Sequence, residues 1–265
     1  MRDAARRARM QCATGRSDWL ADLCAFERSL ENDRPECVSQ AAVREARGNV
    51  RMLRQCVERL GLAPAPGLAP LALTAPEEAL VLKAVITAGL SPNIARVRVP
   101  LQKYHEVSGG SVAVDREARE LAFYAVDETA DGAGWQSHDL RSDRRVFVHP
   151  QSTLFGEAKY PAPFVAYLAQ SASGAKTYLR DVTVPGMYAV LLFGPRVSVD
   201  HDHKVVAIGA GGLAVRAWPR IGVLVGQLRR LLDELLRRKL DDPTLPIHDH
   251  PVVTAVLDLV RTDGR

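Results

Sequence analysis

RVFVHPQSTLFGEAKYPAPFVAYLAQSASGAKTYLRDVTVPGMYAVLLFG, residues 145–194, is the stretch on which the reading of the fold turns. RVFVH fits a period of two. FVAYL (164–168), KTYLRDVT (176–183) and YAVLLFG (188–194) are short, rich in β-branched and aromatic residues, and punctuated by glycine, proline and polar turns. Runs of this kind read as strands, because alternate side chains of a pleated chain face opposite sides. Upstream, the period of two begins at Ile94 and continues through IARVRV, SVAVD and LAFYAV. Many short strands at this spacing predict a small closed barrel or a sandwich. Between the third and fourth runs lies DETADGAGWQSHDLRSDR, longer than a tight turn, which predicts a mobile loop over 127–145. A hairpin-like segment ending near Trp218 closes the strand-rich part.

On either side of it the period is helical. Trp19, Leu20, Leu23 and Phe26 recur on one face, and Val43, Val50, Leu53, Val57 and Leu60 on a second helix closed by Gly61, which together predict a helical hairpin. The proline-rich LAPAPGLAPLALTAP (62–76) reads as a loop, since proline fixes φ and removes a donor. Thr74 is placed to cap a helix running to Leu90, with Pro76 and two glutamates in its first turn. Residues 221–240 carry Leu224, Leu228, Leu231, Leu232, Leu235 and Leu236 in a stripe that is read as core, with a partner-docking face as the alternative.

The net charge of +4 does not by itself argue for a polyanion partner. Residues 1–16 hold five arginines and one aspartate, so the remainder is neutral overall. That arginine-rich start reads either as a transit peptide or as the last helix of an upstream domain. Cys12, Cys24, Cys37 and Cys56 form no C-x-x-C pair, which disfavours a zinc site or a disulfide framework and suits small buried hydrophobes in a reducing compartment. No apolar run is long enough to span a bilayer, so no membrane partner is expected.

Three patterns imitate nucleotide sites. VVAIGAGGLA (205–214) has dinucleotide-fingerprint glycines, but no helix plausibly starts at Gly212 and no acidic residue follows a second strand. LAFYAVDETA (121–130) and SGAKT (173–177) imitate a magnesium-binding acidic pair and a phosphate loop, in the wrong order and with Ala175 where a glycine must precede the lysine. The clusters Asp200 to His203 and His248 to His250 read as solvated turns, because adjacent side chains of an extended segment diverge. No catalytic residue and no metal site is assigned.

Several of these segments resemble a known family. HPQS (149–152), FVAYL, KTYLRDVT and YAVLLFG, in that order and spacing, resemble the C-terminal region of DEAH-box RNA helicases. Ser17-Asp18-Trp19-Leu20 stands where that family has Ser-Asp-His-Leu, AVITAGLSPNIARVRV is similar to its entry into the barrel, and VVTAVLDLVRT resembles the end of its RNA helicase A and quadruplex-resolving branch. ECVSQAAV (36–43) departs from the family's Cys-x-x-Asn-Phe-Leu-Ser segment. The resemblance implies an α+β chain: a helical, ratchet-like domain over 1–93, an antiparallel oligonucleotide-binding-fold barrel over 94–218, and C-terminal helices over 219–265.

It further implies an accessory region that contacts single-stranded or structured RNA and docks on the RecA motor domains of a helicase. ATP and magnesium belong to that motor, and this chain, without a phosphate loop or a DEAH motif, is expected to hydrolyse nothing. The alternative is an adaptor whose barrel receives a G-patch-type or other peptide at a strand edge. The implied location is inside the cell, whether nucleus, cytoplasm or an organelle. A single strand gripped without sequence selection calls for cations, hydroxyls and aromatic platforms. His149, Ser152, Lys176, Tyr178, Arg180 and Thr183 supply these, with Lys176, Tyr178 and Arg180 on one face of a strand. The competing expectation buries Tyr178 in the barrel and pairs Arg180 with Asp181 or Asp200.

Overall fold

The computed structural model describes residues 7, 9–31, 33, 35, 38–64, 67–69, 71–101, 103–107, 110–113, 115, 117–125, 144–209 and 213–264. The loop expected over 127–145 lies outside them apart from its last two residues. So do Cys37, the acidic pair of 121–130 and the glycines at 211 and 212.

Five strands close into a barrel: β1 (Ile94–Arg98), β4 (Ala122–Ala125), β5 (Arg144–Val148), β7 (Lys176–Thr183) and β6 (Phe164–Ser173), with β6 pairing back onto β1. Between β1 and β4 the chain makes a separate hairpin, β2 (Tyr104–Val107) with β3 (Gly110–Ala113). The order is that of an oligonucleotide-binding fold. The expectation of an antiparallel barrel needs one amendment, because β5 and β7 run parallel, Phe147 beside Tyr178 and Val148 beside Leu179. The barrel closes by joining strands whose connection passes through β6, and that crossover makes the pair parallel.

Ile94, Val97, Val146, Leu179 and Val182 are buried within the barrel wall. Phe164, Val165, Ala166 and Tyr167 of β6 are all buried, because β6 has the barrel on one side and α3 (Ala75–Leu90) on the other. Helix α3 begins as the sequence predicts. The Glu77 carboxylate takes bonds from the Thr74 N–H (2.8 Å) and hydroxyl (2.7 Å), which hold its pKa below the ordinary glutamate value.

YAVLLFG is not a strand. Met187–Phe193 form a short helix, α4, after Pro185-Gly186, with Ala189, Val190, Leu191 and Leu192 all buried. An unbroken apolar run has no period of its own, so burial alone decides its conformation. The barrel strands therefore all lie within 94–183. Residues 187–218 hold α4 and a three-stranded sheet of β8 (Val197–Asp200), β9 (Val205–Ile208) and β10 (Leu213–Arg216). Helix α5 (Pro219–Asp241) packs on β8 and β9, and Gly222 permits it. A Cβ there would stand 2.7 Å from Val199 Cγ2 and 2.8 Å from Val206 Cγ2. Only part of the leucine stripe is core: Leu232 and Leu235 are buried, while Leu224, Leu231 and Leu236 are exposed.

Arg229 of α5 seals the end of α4. Its guanidinium donates to the carbonyls of Gly194 (2.6 Å), Pro195 (2.8 Å) and Leu191 (3.5 Å), and burial pulls its pKa below the ordinary arginine value. Arg229→Met keeps the stem and removes the donors. It is expected to lower stability by about 2 kcal/mol, or roughly 4–8 °C in the melting midpoint by calorimetry.

At the N-terminal side, α1 (Asp18–Leu30) seats on β7, whereas α2 (Gln40–Arg59) packs closely on no other element among the described residues. The two do not pack as the expected hairpin. Val43 alone of the α2 stripe is buried, and Val50, Leu53, Val57 and Leu60 are exposed. The α1 face is the expected one in part, with Leu20 buried and Trp19 and Phe26 half-buried. Asp18, Leu20 and Ala21 face inward, while Leu23 is exposed. Helix α6 (Pro251–Thr262) completes the layer against α3, its first turn capped by the His250 ring, and Asp200 closes the β8–β9 turn onto His203.

Candidate nucleic-acid interface

Strands β5 and β7 lie side by side, and their alternation sorts side chains cleanly. Val146, Val148 and Leu179 point into the barrel at 0%, 7% and 0% exposure, which leaves Arg145, Phe147, His149, Lys176, Tyr178 and Arg180 on the outside. Parallel pairing sets the rings in a row. Phe147 and Tyr178 have centroids 6.1 Å apart, and His149 meets the other side of Tyr178 edge-on at 5.8 Å.

Cations flank the row. Arg145 and Lys176 each stand 5.3 Å from the centre of the Phe147 ring, and Arg180 donates to Ser171 on β6 at 3.0 Å. On β4, Tyr124 lies opposite Arg145 in register and carries Arg96 over its ring at 5.6 Å. Among the described residues no carboxylate is within ion-pair distance of Arg145, Lys176 or Arg180. Tyr178 is thus not a core anchor, and Arg180 pairs with neither Asp181 nor Asp200.

Four of the six expected contact residues, His149, Lys176, Tyr178 and Arg180, share this face. Two do not. Ser152 is 2% exposed and its hydroxyl accepts from the Leu154 N–H (3.1 Å), closing the turn that follows Pro150. Thr183 is fully buried with its hydroxyl 2.7 Å from that of Ser17. Parity alone removes Thr183, since it sits an odd number of residues from Lys176 and Arg180. The same rule applied to RVFVH would have added Arg145 and Phe147, which sequence reasoning missed.

The far end of β7 is held by the N-terminal segment. Asp18 is buried and accepts from the Thr153 N–H (2.7 Å) and hydroxyl (2.8 Å) and from the Val182 N–H (2.9 Å). Asp181 turns to φ 52°, which asparagine and aspartate tolerate better than most residues, and its carbonyl accepts from Trp19 Nε1 at 3.1 Å. Arg9 bridges Asp22 at 2.6 Å and Asp181 at 3.3 Å. The Ser-Asp-x-Leu element thereby fixes β7, and with it the outward register of the cations.

A cleft of about 520 Å³ opens beside the platform, reached past Arg145, Phe147, Lys176 and Tyr178. Another of about 520 Å³ lies between β8 and α5, walled by Arg196, Arg229, Arg230 and Asp233 but by no aromatic residue. Its Arg229 is already spent on the α4 carbonyls. Stacking chemistry is available only in the first. SGAKT is the β6–β7 turn, with Gly174 at φ 58°. No helix among the described residues is long and apolar enough to cross a membrane.

Residues 82–197 match the family model of the oligonucleotide/oligosaccharide-binding (OB) fold, and residues 206–262 match that of the C-terminal domain in RNA helicases. Relatives extend over most of the chain. A protein of Mycosarcoma maydis named as a DEAH-box ATP-dependent helicase is 34% identical over 271 residues, 89% of this chain and 16% of the relative. The human ATP-dependent RNA helicase DHX29 is 28% identical over 188 residues, 71% of this chain and 12% of its own. The human ATP-dependent DNA/RNA helicase DHX36 is 27% identical over 194 residues, 70% and 16% respectively. The chain therefore spans only about a sixth of the length of such relatives. With a barrel of the matching fold, the helical layer after it and both family models in their order along the sequence, the protein belongs to the DEAH-box RNA helicases and corresponds to their C-terminal region.

Proposed function

We propose that this chain is the accessory region of an ATP-dependent RNA helicase and grips single-stranded RNA on the outer face of β5 and β7. The observation that carries the reading is the row His149, Tyr178, Phe147 bordered by Arg145, Lys176 and Arg180. Ring faces accept any base and cations follow the phosphates, which is the chemistry of binding without sequence selection. ATP and magnesium serve the RecA motor of such a helicase, and the chain's own part is to hold and orient the strand. The uncovered apolar stripe of α2 supports docking on that motor, since burying Val50, Leu53, Val57 and Leu60 is favourable wherever a partner surface meets them. By the same reading the protein works inside the cell.

Fluorescence anisotropy with a labelled single-stranded oligoribonucleotide tests this. Three phosphate contacts predict a slope of about −2 in log K against log salt, so affinity falls roughly twentyfold between about 50 and 200 mM. Binding that ignores salt, or affinity for a glycine-rich peptide in place of RNA, would hand the face to the adaptor role.

A further inference from the structure

We infer that the cleft beside the platform receives one unstacked nucleobase of the bound strand. This rests on the RNA-binding reading and adds to it a site that shares Arg145, Phe147, Lys176 and Tyr178 with the platform and has further walls of its own. The walls come from the connections around β4 and β5: Leu121, Phe123, Leu154, Phe155 and Tyr160. Phe123 and Tyr160 meet edge to face at 5.6 Å, and the Tyr160 hydroxyl donates to the Leu154 carbonyl at 3.4 Å, so this wall is braced before any ligand arrives. Leu154 is 3% exposed, whereas its neighbour Phe155 is 41% exposed at the lip.

A space of about 520 Å³ falls within the range of small-ligand sites, which runs from roughly 300 to 1,000 Å³. The charge distribution selects the occupant. Arg119, paired with Glu117, and Glu157 also line the cleft, and the Glu157 carboxylate disfavours a phosphate there; the apolar and aromatic walls would strip a phosphate of water without repaying it, but they suit the flat face of a base. At the mouth, Arg145 and Lys176 rest on Phe147 with no carboxylate partner among the described residues. When a base passes between them, these cations swing from the ring to the phosphates on either side of it. An apolar peptide would fill the same walls and leave both charges unmatched.

The test uses the full chain, a fluorescein-labelled oligouridylate and an abasic strand of equal length and charge. Phe155→Ala removes the lip, and Ala118→Trp fills the mouth from the short helix at Ala118–Glu120. Each is expected to weaken binding of the normal strand about tenfold, leave the abasic strand unchanged and preserve the salt slope. An equal loss on both strands, or no loss on either, overturns the base site while leaving the platform standing. Failure of the unsubstituted chain to bind any strand overturns the platform and the cleft together. Photo-crosslinking of a 5-iodouridine strand to the unsubstituted protein gives a readout independent of variant folding. Attachment at Phe155 or Tyr160 supports the site, and attachment confined to other residues refutes it.

Discussion

Asp18→Ala is expected to cost about 4 kcal/mol, a large share of the roughly 5–15 kcal/mol that separates a folded domain from its unfolded chain. The carboxylate is buried and carries three bonds, two of them from backbone amides of separate segments: Thr153 after β5 and Val182 at the end of β7. Alanine supplies no acceptor, so the buried Val182 amide and the half-buried Thr153 amide both lose their partner, each a loss of about 1–3 kcal/mol. Asp18→Asn keeps one oxygen for Thr153 but turns an amide donor toward the Val182 N–H, so a loss of about 2 kcal/mol is expected. Urea unfolding followed by circular dichroism measures both, and the alanine midpoint should fall by more than about 1 M. An alanine loss under about 1 kcal/mol would mean that the N-terminal segment is not seated on the barrel.

What the sequence discloses of this fold follows from which forces leave a periodic trace. RVFVH and KTYLRDVT face the core on one side and water on the other, so their alternation is visible and their strands are legible. Phe164 to Tyr167 are buried on both faces and still read as a strand through their aromatic and β-branched content. In MYAVLLF, Ala189 to Leu192 are buried in succession as well, and the apolar run carries no signal to tell a helix from a strand. Polar residues are harder still. Thr183 and Ser152 have the hydroxyls an RNA site needs, but each spends its hydroxyl on an internal bond that depends on a segment distant in sequence or on a turn. Asp18 and Arg229 are charged side chains drawn inside by backbone groups, and only the tertiary fold shows which groups those are. Arg145 and Phe147, by contrast, were available from alternation alone.

Phe147→Ala combined with Tyr178→Ala is expected to reduce affinity for single-stranded RNA about a hundredfold, with little change in stability. Base stacking on an aromatic side chain contributes about 1–3 kcal/mol per base, so two platforms near the low end of that range, about 1.4 kcal/mol each, multiply to roughly that factor. The cations matter less one at a time: Lys176→Ala should change the salt slope by about 0.7 and lower affinity only a few-fold near physiological salt. Removing the Phe147 ring also frees Arg145 and Lys176 from cation–π contacts worth about 0.5–1 kcal/mol at an exposed site, too little to disturb the barrel. Leu179 is the control, one residue along β7 but facing inward at 0% exposure. Leu179→Ala should cost about 2–5 kcal/mol of stability while the molecules that remain folded keep their affinity. Anisotropy titrations beside thermal melts separate the two behaviours. If the double variant binds within about threefold of the unsubstituted chain, the rings are not a stacking surface and RNA, if held at all, is held elsewhere.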